Sequence, residues 1–397
     1  MGKKIKKCEI CEESKLVQVL DLGKHPLCDD LIPFNSKSKN SNHPIVILFC
    51  KNCKTAYQKY SVNKKKLFPK NYHYRARMTG SVLSGMSNLV NSIEKKIGSL
   101  KNKSCLDIGC NDGSLLDFFK KKGCKTLGVE PTGAAKDCKH KVINKYFDKK
   151  VAEQIKNSNF SPDIITFTNV FAHIENLEQL LENLKTIISP KTILVIENHY
   201  LGAVLKYGQF DTFYHEHPRT YSLESFKYIA KKLNMNLFGA EFVSRYGGNI
   251  RAYLGSSIKK KIINKKEVNY ENLFLKMKKD LFNWKKVTKK LINSHVKKKG
   301  KFLAKAFPGR AAILIKLLNL DENHISAVYE IKGSIKTNHY VPGTKIPILP
   351  EAMLYTQKKI IEPILNLAWH LPKEVRRNLK KNGYNGKVID IKKFLKI

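Results

Sequence analysis

Between residues 104 and 201 the chain alternates apolar runs with helical patterns, and this alternation limits its possible folds more than any other feature. The apolar runs lie at 104–110, 126–131, 163–170 and 192–201. Successive strands joined by helices pair in parallel, because the chain must cross a face of the sheet before the next strand begins. Runs that are apolar throughout indicate strands buried on both faces. The sequence therefore predicts an α/β fold with a parallel sheet covered by helices on both sides.

Amphipathic patterns flank this region. Apolar residues recur every three or four positions over 78–97 and over 267–296, which predicts two helices with one buried face each. Beyond them, 301–307, 324–330 and 360–369 are typical of buried strands in a last α/β domain. These changes of pattern divide the chain into an N-terminal module, a core domain, a bridging helix and a C-terminal domain, at 1–70, 71–255, 256–296 and 297–397.

The composition limits the partners and the compartment. The formal net charge is +41, but only 8 of the 74 basic residues are Arg, the side chain that pairs best with phosphate, and the lysines are spread along the chain. We therefore expect a lysine-rich surface and no nucleic-acid ligand. Neither a membrane-spanning run nor a signal peptide is expected, and an odd number of cysteines, 9, favours a reducing compartment. A cytoplasmic monomer is the resulting expectation.

Four cysteines near the N-terminus have the spacing of a metal site. Cys8-x-x-Cys11 is followed after 38 residues by Cys50-x-x-Cys53, so that two tight turns can each supply two thiolates. Four thiolates complete the tetrahedral coordination of a structural zinc ion, which holds a module together and does not activate water. The alternative, a set of buried free cysteines, does not account for the doubled spacing.

The segment 106–114, LDIGCNDGS, follows a strand with a glycine turn and the start of a helix. Gly109 and Gly113 permit a tight turn and the close approach of a ligand to the backbone. The glycine spacing is not that of the dinucleotide fingerprint. Glu130 ends the next strand, 21 residues after Gly109, where a carboxylate can accept hydrogen bonds from both hydroxyls of a ribose. An ordinary strand-to-helix turn is the alternative.

The segment 210–217, FDTFYHEH, carries a second group of polar residues. If it is extended, Tyr214, Glu216 and His217 lie within a few ångströms of one another and can remove a proton and stabilise the resulting anion. Two alternatives remain: His215 and His217 as metal ligands on one face of a strand, or a polar loop without a chemical role.

Taken in order, these features resemble the nucleotide-sugar C-methyltransferases over nearly the whole chain. The resemblance rests on the cysteine pairs, the glycine loop, and further motifs at 68–78, 169–176, 210–217, 245–253, 340–348 and 366–370. It implies a zinc-binding N-terminal module, a class I S-adenosylmethionine-dependent methyltransferase core with a Rossmann-like fold, and a C-terminal Rossmann-like α/β domain. It also implies a deoxysugar precursor with a keto group as the substrate.

The resemblance also implies the roles of individual residues. His217 is the candidate base, which removes the hydrogen beside the ketone to form an enolate, with Glu216 and Tyr214 beside it. Tyr74 and His173 match further active-site positions. S-adenosylmethionine is expected near Asp107, Gly109, Asn111, Asp112, Gly113, Glu130 and Asn169.

The last domain departs from the family pattern. Residues 306–318, AFPGRAAILIKLL, replace the usual glycine-rich turn, and Glu330 stands where Asp is common, which fits a subfamily with a substrate of its own. One rival function is O- or N-methylation of RNA, protein or another small molecule, which leaves Tyr214, Glu216 and His217 without a role. Another is a non-catalytic binding protein, against which the intact glycine loop and Glu130 argue.

Overall fold

The computed structural model describes residues 4–68, 75–258, 263, 267–357, 360 and 362–393. The chain forms two compact units, and neither is a continuous segment. The first unit comprises Met1–Gln18, Leu48–Val204 and Glu216–Tyr270, and the second comprises Val19–Ile47, Leu205–His215 and Glu271–Ile397. The division of the sequence into four consecutive segments stays a prediction.

The strands and helices follow in chain order. The strands are β1 (Leu16–Pro26), β2 (Ile32–Pro33), β3 (Asn42–Cys50), β4 (Thr55–Gln58), β5 (Ser104–Ile108), β6 (Lys125–Val129), β7 (Val142–Ile143), β8 (Ile164–Thr168), β9 (Ile193–His199), β10 (Arg219–Thr220), β11 (Asn236–Val243), β12 (Asn249–Gly255), β13 (Phe302–Lys305), β14 (Ile325–Glu330), β15 (His339–Tyr340), β16 (Pro347–Pro350), β17 (Ile364–Asn366) and β18 (Val388–Asp390). The α-helices are α1 (Lys64–Leu67), α2 (Gly80–Ile97), α3 (Ser114–Lys121), α4 (Lys149–Lys156), α5 (Leu177–Ile187), α6 (Leu201–Lys206), α7 (Leu223–Lys232), α8 (Tyr270–Lys299), α9 (Ala311–Leu317), α10 (Ala352–Tyr355) and α11 (Pro372–Lys381). Short 3-10 helices lie at Ala76–Met78, Gly133–Asp137, Phe171–His173, Phe210–Thr212 and Arg245–Gly247.

The first unit is built on a seven-stranded sheet in the order β7-β6-β5-β8-β9-β12-β11. All neighbouring strands are parallel except β12, which runs antiparallel to both β9 and β11. This is the strand order of class I methyltransferases, so the predicted α/β fold class is confirmed. The four predicted apolar runs form β5, β6, β8 and β9.

Apolar side chains cover both faces of this sheet, as continuous apolar strands require. On one face α2 buries Val82, Met86, Leu89, Val90 and Ile93, five residues of the predicted helical stripe. Met78, which the stripe also included, precedes the helix and is exposed. On the other face α4, α5 and α7 pack over the sheet in a second apolar cluster. Polar side chains on these strands concentrate where the strands end, at the carboxyl edge of the sheet.

A four-stranded sheet has the order β1-β3-β4-β10; Cys50 ends its strand β3, and Cys53 lies in the turn between β3 and β4. Strand β10 pairs antiparallel with β4 and brings Arg219 opposite Tyr57. The buried guanidinium of Arg219 donates two hydrogen bonds to the carboxylate of Glu9, at 2.7 and 2.8 Å, and further ones to two backbone carbonyls. A bidentate ion pair therefore joins the cysteine turn to the strand that follows His217.

The second unit contains another seven-stranded sheet, in the order β18-β17-β13-β14-β16-β15-β2. Strands β13, β14, β16, β17 and β18 are parallel, and β15 is antiparallel to its neighbours. The three strands predicted for the last domain form β13, β14 and β17. Strand β2, from the N-terminal part of the chain, joins the edge of this sheet, for which the sequence gives no signal. Among the described helices, none combines the length and the apolar composition needed to cross a membrane.

Glu9→Gln should lower the free energy of unfolding by about 3 kcal/mol, because it leaves the buried Arg219 guanidinium without its counter-charge. Urea denaturation of the two proteins measures the difference. Glu182→Gln, which removes an exposed ion pair with Lys185 on α5, is the matched control and should change stability little. Equal unfolding midpoints for Glu9→Gln and the parent would contradict the structural role of the pair.

Candidate functional site

The four predicted zinc ligands form one cluster. The Sγ atoms of Cys8, Cys11, Cys50 and Cys53 all lie within 4.8 Å of one another, and the Cys8–Cys53, Cys8–Cys11 and Cys11–Cys50 distances are 3.4, 3.4 and 3.5 Å. A tetrahedral zinc ion with Zn–S bonds of about 2.3 Å separates its sulfurs by roughly 3.8 Å. The donor set and its spacing therefore fit a closed, structural metal site.

Neighbouring hydroxyls support this cluster. The Tyr57 hydroxyl lies 2.9 Å from Cys8 Sγ, and Thr55 Oγ1 lies 3.1 Å from Cys53 Sγ. Thr55 is in turn 2.7 Å from the hydroxyl of Ser225 on α7. Hydrogen bonds to the ligating side chains orient them around a metal ion. The cysteine cluster is thereby fixed to a helix that packs on the central sheet.

The glycine loop has the conformation expected of a ligand-binding turn. Gly109 and Gly113 have φ values of +76° and +78°, which favour glycine. A Cβ atom on Gly109 would lie 2.5 Å from the side chain of Val170, so a larger residue does not fit there. Asn111, between the glycines, also has a left-handed φ of +51°. The turn ends at Gly113, where α3 begins.

Glu130 lies directly beside this loop, where β6 ends. Its carboxylate is buried and accepts hydrogen bonds from the backbone N–H of Asn111 at 2.9 Å and from the N–H and hydroxyl of Thr132 at 2.8 and 2.6 Å. These bonds fix the carboxylate relative to the turn. Further lone pairs on its two oxygens remain available to hydroxyl donors.

Asp107, at the end of β5, accepts a hydrogen bond of 2.7 Å from the hydroxyl of Thr166. Burial raises its pKa to about 7, because the charged form loses its hydration. The side chain can therefore be a protonated donor near neutral pH.

Asp112 and Asn111 bind the chain that precedes α2. The Asp112 carboxylate accepts from the backbone N–H and the Nε of Arg77 at 3.0 and 3.1 Å, and from the hydroxyl of Ser114 at 2.5 Å. The Asn111 side-chain oxygen accepts from the backbone of Ala76 at 3.0 Å. Arg77 lies within the motif at 68–78 but was not among the predicted site residues. In the structure these two predicted cofactor residues hold the loop in shape, and their contact with a cofactor stays a prediction.

Asn169 lies at the same edge of the sheet, with a left-handed φ of +56° after β8. Its side-chain oxygen accepts a hydrogen bond of 3.0 Å from Asn249, which also donates to Glu197 at 3.2 Å. Two nearby buried atoms, Thr168 Oγ1 and Asn249 Oδ1, have no hydrogen-bond partner within the described residues. Buried polar atoms are normally satisfied, so this edge suits a polar ligand.

Three histidines meet at the carboxyl edge. The His173 and His217 rings are stacked, with 4.9 Å between their centroids and 25° between their planes. The centroid of the His199 ring lies 5.1 Å from that of His217. The Phe68 ring stacks on that of His173 with a centroid distance of 5.3 Å, and the ring centroids of Tyr246 and His199 are 5.8 Å apart. Burial lowers the pKa of His173 to about 4, so this imidazole is neutral near pH 7.

His199 is a member of the cluster that sequence reasoning missed. It ends β9, a strand that was predicted, and polar residues at the carboxyl ends of parallel strands are the usual site of binding and catalysis in such folds. The position of His199 at the end of a predicted parallel strand was therefore the sequence signal that could have identified it.

The extended conformation considered for 214–217 is wrong, since a 3-10 helix at Phe210–Thr212 is followed by a bend and a turn. Glu216 and His217 are buried in the first unit. Tyr214 is half-buried and belongs to the second unit with His215, whose Nε2 lies 3.1 Å from the backbone oxygen of His43. Among the described residues, the four cysteines form the sole cluster with metal-ligand spacing, which gives no support to a metal site on His215 and His217.

Tyr74, the remaining predicted active-site residue, lies outside the described residues.

A buried charged cluster holds the start of this segment within the second unit. Asp211 is fully buried and accepts hydrogen bonds from Arg310 Nε and Trp369 Nε1, both at 2.8 Å. The Lys392 ammonium lies 3.5 Å from the same carboxylate and over the rings of Phe210 and Trp369, at 4.2 and 4.5 Å. The two cations hold the pKa of Asp211 well below its usual range despite its burial.

We expect one tightly held zinc ion per chain, which Cys50→Ser should release. A three-thiolate set cannot close the tetrahedron, and the stability of the module should fall with the metal. Elemental analysis of the purified variant and of the parent measures the zinc content per chain. Cys105→Ser, which alters a buried thiol of β5, is the control and should keep one zinc. A Cys50→Ser protein with the parental zinc content would contradict the assignment.

Comparison with known proteins gives matches along most of the chain. Residues 8–68 match the family described as "Putative zinc binding domain", residues 77–238 match "Methyltransferase domain", and residues 246–389 match "C-methyltransferase C-terminal domain". The C-methyltransferase NovU of Streptomyces niveus is 26% identical over 251 residues, which is 62% of this chain and 60% of that protein. The match thus spans less than two thirds of the relative's length.

Solved structures also match part of the chain. The PH0226 protein of Pyrococcus horikoshii OT3 has 15% sequence identity and a TM-score of 0.36, with 48% of this chain and 97% of that chain covered. The plantazolicin methyltransferase BpumL, solved with S-adenosylhomocysteine, has 15% identity and a TM-score of 0.36, with 47% and 87% covered.

The three family matches follow one another in the order that the sequence predicted. They coincide with the cysteine cluster, with the sheet that carries the glycine loop and with the second parallel sheet. The chain therefore carries, in this order, segments similar to a putative zinc-binding domain, a methyltransferase domain and a C-methyltransferase C-terminal domain.

Proposed function

We propose that the protein methylates a carbon atom of a nucleotide-linked keto-deoxysugar, with S-adenosylmethionine as the methyl donor. The observation that carries the proposal is the cluster of His173, His199 and His217 at the carboxyl edge of the sheet that also carries the glycine loop. A sugar carbon becomes a nucleophile only when the hydrogen beside the ketone is removed. A base is therefore required, and O- or N-methylation would leave this histidine cluster without a role.

His217 is the base in this proposal. It is buried between two other imidazoles, and imidazole accepts protons in the neutral pH range. A neutral His173, which burial keeps uncharged, can donate a hydrogen bond to the developing enolate oxygen. The Phe68 ring stacks on the His173 ring. The methyl donor supplies the electrophilic carbon, and the protein holds both reactants in contact.

The residues around the glycine loop fit S-adenosylmethionine. Glu130 presents a carboxylate fixed by Asn111 and Thr132, as recognition of a ribose requires. Gly109 lets the ligand approach the backbone, and Asp107, Asn169 and Thr168 supply further polar atoms at the same edge. Zinc, bound by the four cysteines, has a structural role in this proposal, because four thiolates leave no open coordination position.

The C-terminal domain, 297–397, is proposed to bind the nucleotide part of the substrate. Its sheet repeats the local arrangement of the glycine loop: Ala306 follows β13 with a φ of +63° and donates to the carbonyl of Tyr329 at 3.0 Å. The next N–H, that of Phe307, donates to the carboxylate of Glu330 at the end of β14. In the first unit, Gly109 donates to Val129 at 2.7 Å, and Asn111 donates to Glu130. The partly exposed Glu330 is therefore our candidate for the ribose of the nucleotide sugar.

Glu130→Gln should weaken binding of S-adenosylhomocysteine by about ten- to a hundredfold, because a charge-assisted hydrogen bond contributes about 1.5–3 kcal/mol. Titration calorimetry measures the dissociation constant. Glu153→Gln, which alters an exposed carboxylate on α4, is the matched control. Parental affinity in Glu130→Gln would rule out the ribose assignment.

Glu330→Gln should raise KM for the nucleotide sugar and leave the affinity for S-adenosylhomocysteine at the parental value, because the two carboxylates serve different ligands. Steady-state kinetics with a panel of nucleotide-linked 4-keto sugars provides KM. Glu322→Gln, in the turn before β14, is the control. An unchanged KM in a folded Glu330→Gln protein would refute the role of this residue.

His217→Asn should abolish both methylation and exchange of the hydrogen beside the ketone with deuterated water, measured by mass spectrometry in the presence of S-adenosylhomocysteine. Loss of a general base typically lowers the rate about a hundred- to ten-thousandfold. Binding of S-adenosylhomocysteine should persist, and His324→Asn, in the turn before β14, should behave like the parent. Near-parental exchange in His217→Asn would move the base to His173 or His199.

A further inference from the structure

The side chain of Arg219 connects three segments of the first unit. Its guanidinium is buried and donates four hydrogen bonds. Two of them reach the carboxylate of Glu9, at 2.7 and 2.8 Å. The other two reach the backbone carbonyls of Ile174 and Glu175, at 2.5 and 2.9 Å. One planar group therefore joins the turn of the first cysteine pair to two segments of the core.

Each of these core segments carries a histidine of the proposed site. His173 ends the 3-10 helix Phe171–His173, and the two bonded carbonyls belong to the two residues that follow it. His217 lies two positions before Arg219, which begins β10 and is fixed to β4 by strand pairing. The strand pairing therefore holds the segment of His217, and the guanidinium holds the segment of His173 against it.

The direction of the two imidazole rings depends on these hydrogen bonds. The rings stack with 4.9 Å between their centroids, and an offset stack tolerates sliding of one ring over the other. Phe171 and Tyr221 form a second ring contact between the same segments, at 5.5 Å. Such ring contacts supply attraction, whereas hydrogen bonds weaken steeply when their angle changes. The guanidinium is thus the directional link between the segments of His173 and His217.

We propose that Arg219 is a positioning residue, which sets the orientation of His173 relative to His217 and is held in turn by Glu9. The part of this proposal that concerns proton removal rests on the proposed function, in which His217 is the base and His173 donates to the enolate oxygen. Because Glu9 directly follows Cys8, the cysteine cluster places the carboxylate that anchors the guanidinium. The competing explanation is that the ion pair serves stability alone.

The guanidinium group suits this task and an ammonium group does not. Arginine has five N–H donors in one fixed plane, and here it uses them toward both oxygens of a carboxylate and two carbonyls. Lysine keeps the positive charge beside Glu9, but it has only three N–H donors and no fixed plane. Arg219→Lys therefore removes the positioning and retains the charge.

Arg219→Lys should lower the rate constant for exchange of the hydrogen beside the ketone by about ten- to a hundredfold, since a misplacement of about 1 Å has an effect of this size. The rate is measured in deuterated water with S-adenosylhomocysteine and a saturating nucleotide-linked 4-keto sugar, and is expressed per folded, zinc-loaded chain. KM for the sugar and the affinity for S-adenosylhomocysteine should stay at the parental values, because the lost interaction acts in the transition state. A residue that serves stability alone would change the folded fraction and not this rate constant.

Arg376→Lys is the matched control. Arg376, on α11 of the second unit, also donates to both oxygens of one carboxylate, that of Asp390, and to two backbone carbonyls, those of Pro372 and Val388. The control variant loses the same kinds of hydrogen bonds at a place that carries no histidine of the cluster. Its exchange rate constant should equal that of the parent.

A second measurement does not need the reaction. In NMR spectra of protein with isotope-labelled histidines, the ring signals of His173 and His217 are assigned by their loss in His173→Gln and His217→Asn. Stacked rings shift each other's signals, so Arg219→Lys should move both signals. Arg376→Lys should leave both in place.

Parental exchange in folded Arg219→Lys overturns the role in proton removal, and unmoved ring signals overturn the positioning itself. If the parent exchanges no hydrogen with any sugar tested, the proposed function is wrong, and the ring signals alone decide whether Arg219 orients the histidines. If Arg219→Lys does not fold with zinc, Glu9→Gln replaces it, since this variant keeps the arginine and removes its charged anchor. Glu9→Gln should then show a smaller loss of exchange, and a parental rate would overturn the proposal.

Discussion

Burial of the central sheet on both faces is the constraint on which the rest of the first unit depends. Strands covered by helices on two sides have no exposed face on which polar side chains can meet a ligand. Polar and titratable groups are therefore placed where the strands end, and Asp107, Glu130, Asn169 and His199 all follow this rule. The antiparallel strand β12 starts at the same edge and adds Asn249. These polar groups of the first unit are concentrated at one edge of the sheet because the core occupies both of its faces.

Buried charges fix segments within each of the two units. Glu197, fully buried on β9, accepts from Arg251 at 2.8 Å and from Arg245 at 3.2 Å, so that one carboxylate connects two cations. Asp211 does the same for Arg310 and Lys392 in the second unit. Charges taken out of water are tolerated only when such partners are present. Each network fixes a segment next to residues described above: Arg245 precedes Tyr246, whose ring contacts His199, and Asp211 lies three positions before Tyr214.

The parts of this structure that depend on short-range sequence patterns were predictable. Continuous apolar runs predicted β5, β6, β8 and β9, the spacing of apolar residues predicted α2, and the doubled cysteine pairs predicted the cluster of four thiols. The parts that depend on distant partners were not. The turn at 214–217 follows a segment held by Arg310 and Trp369, which lie about a hundred or more residues away and leave no local pattern. For the same reason, neither the contacts of Arg77 nor the pairing of β2 with β15 was predicted. The contact between His199 and His217 also joins residues from different elements, so it could be recognised only in the folded structure.

The ion pair between Glu9 and Arg219 has a consequence for how such proteins can evolve. Glu9 is the residue after Cys8, and Arg219 lies two positions after His217, so the turn of the first cysteine pair and the segment of the proposed base share one salt bridge. A core domain inherited without its N-terminal module would carry a guanidinium that is almost fully buried and lacks a counter-charge. The small module is thereby part of the solvent-free environment of the core, and gene rearrangements that separate the two should be eliminated by selection.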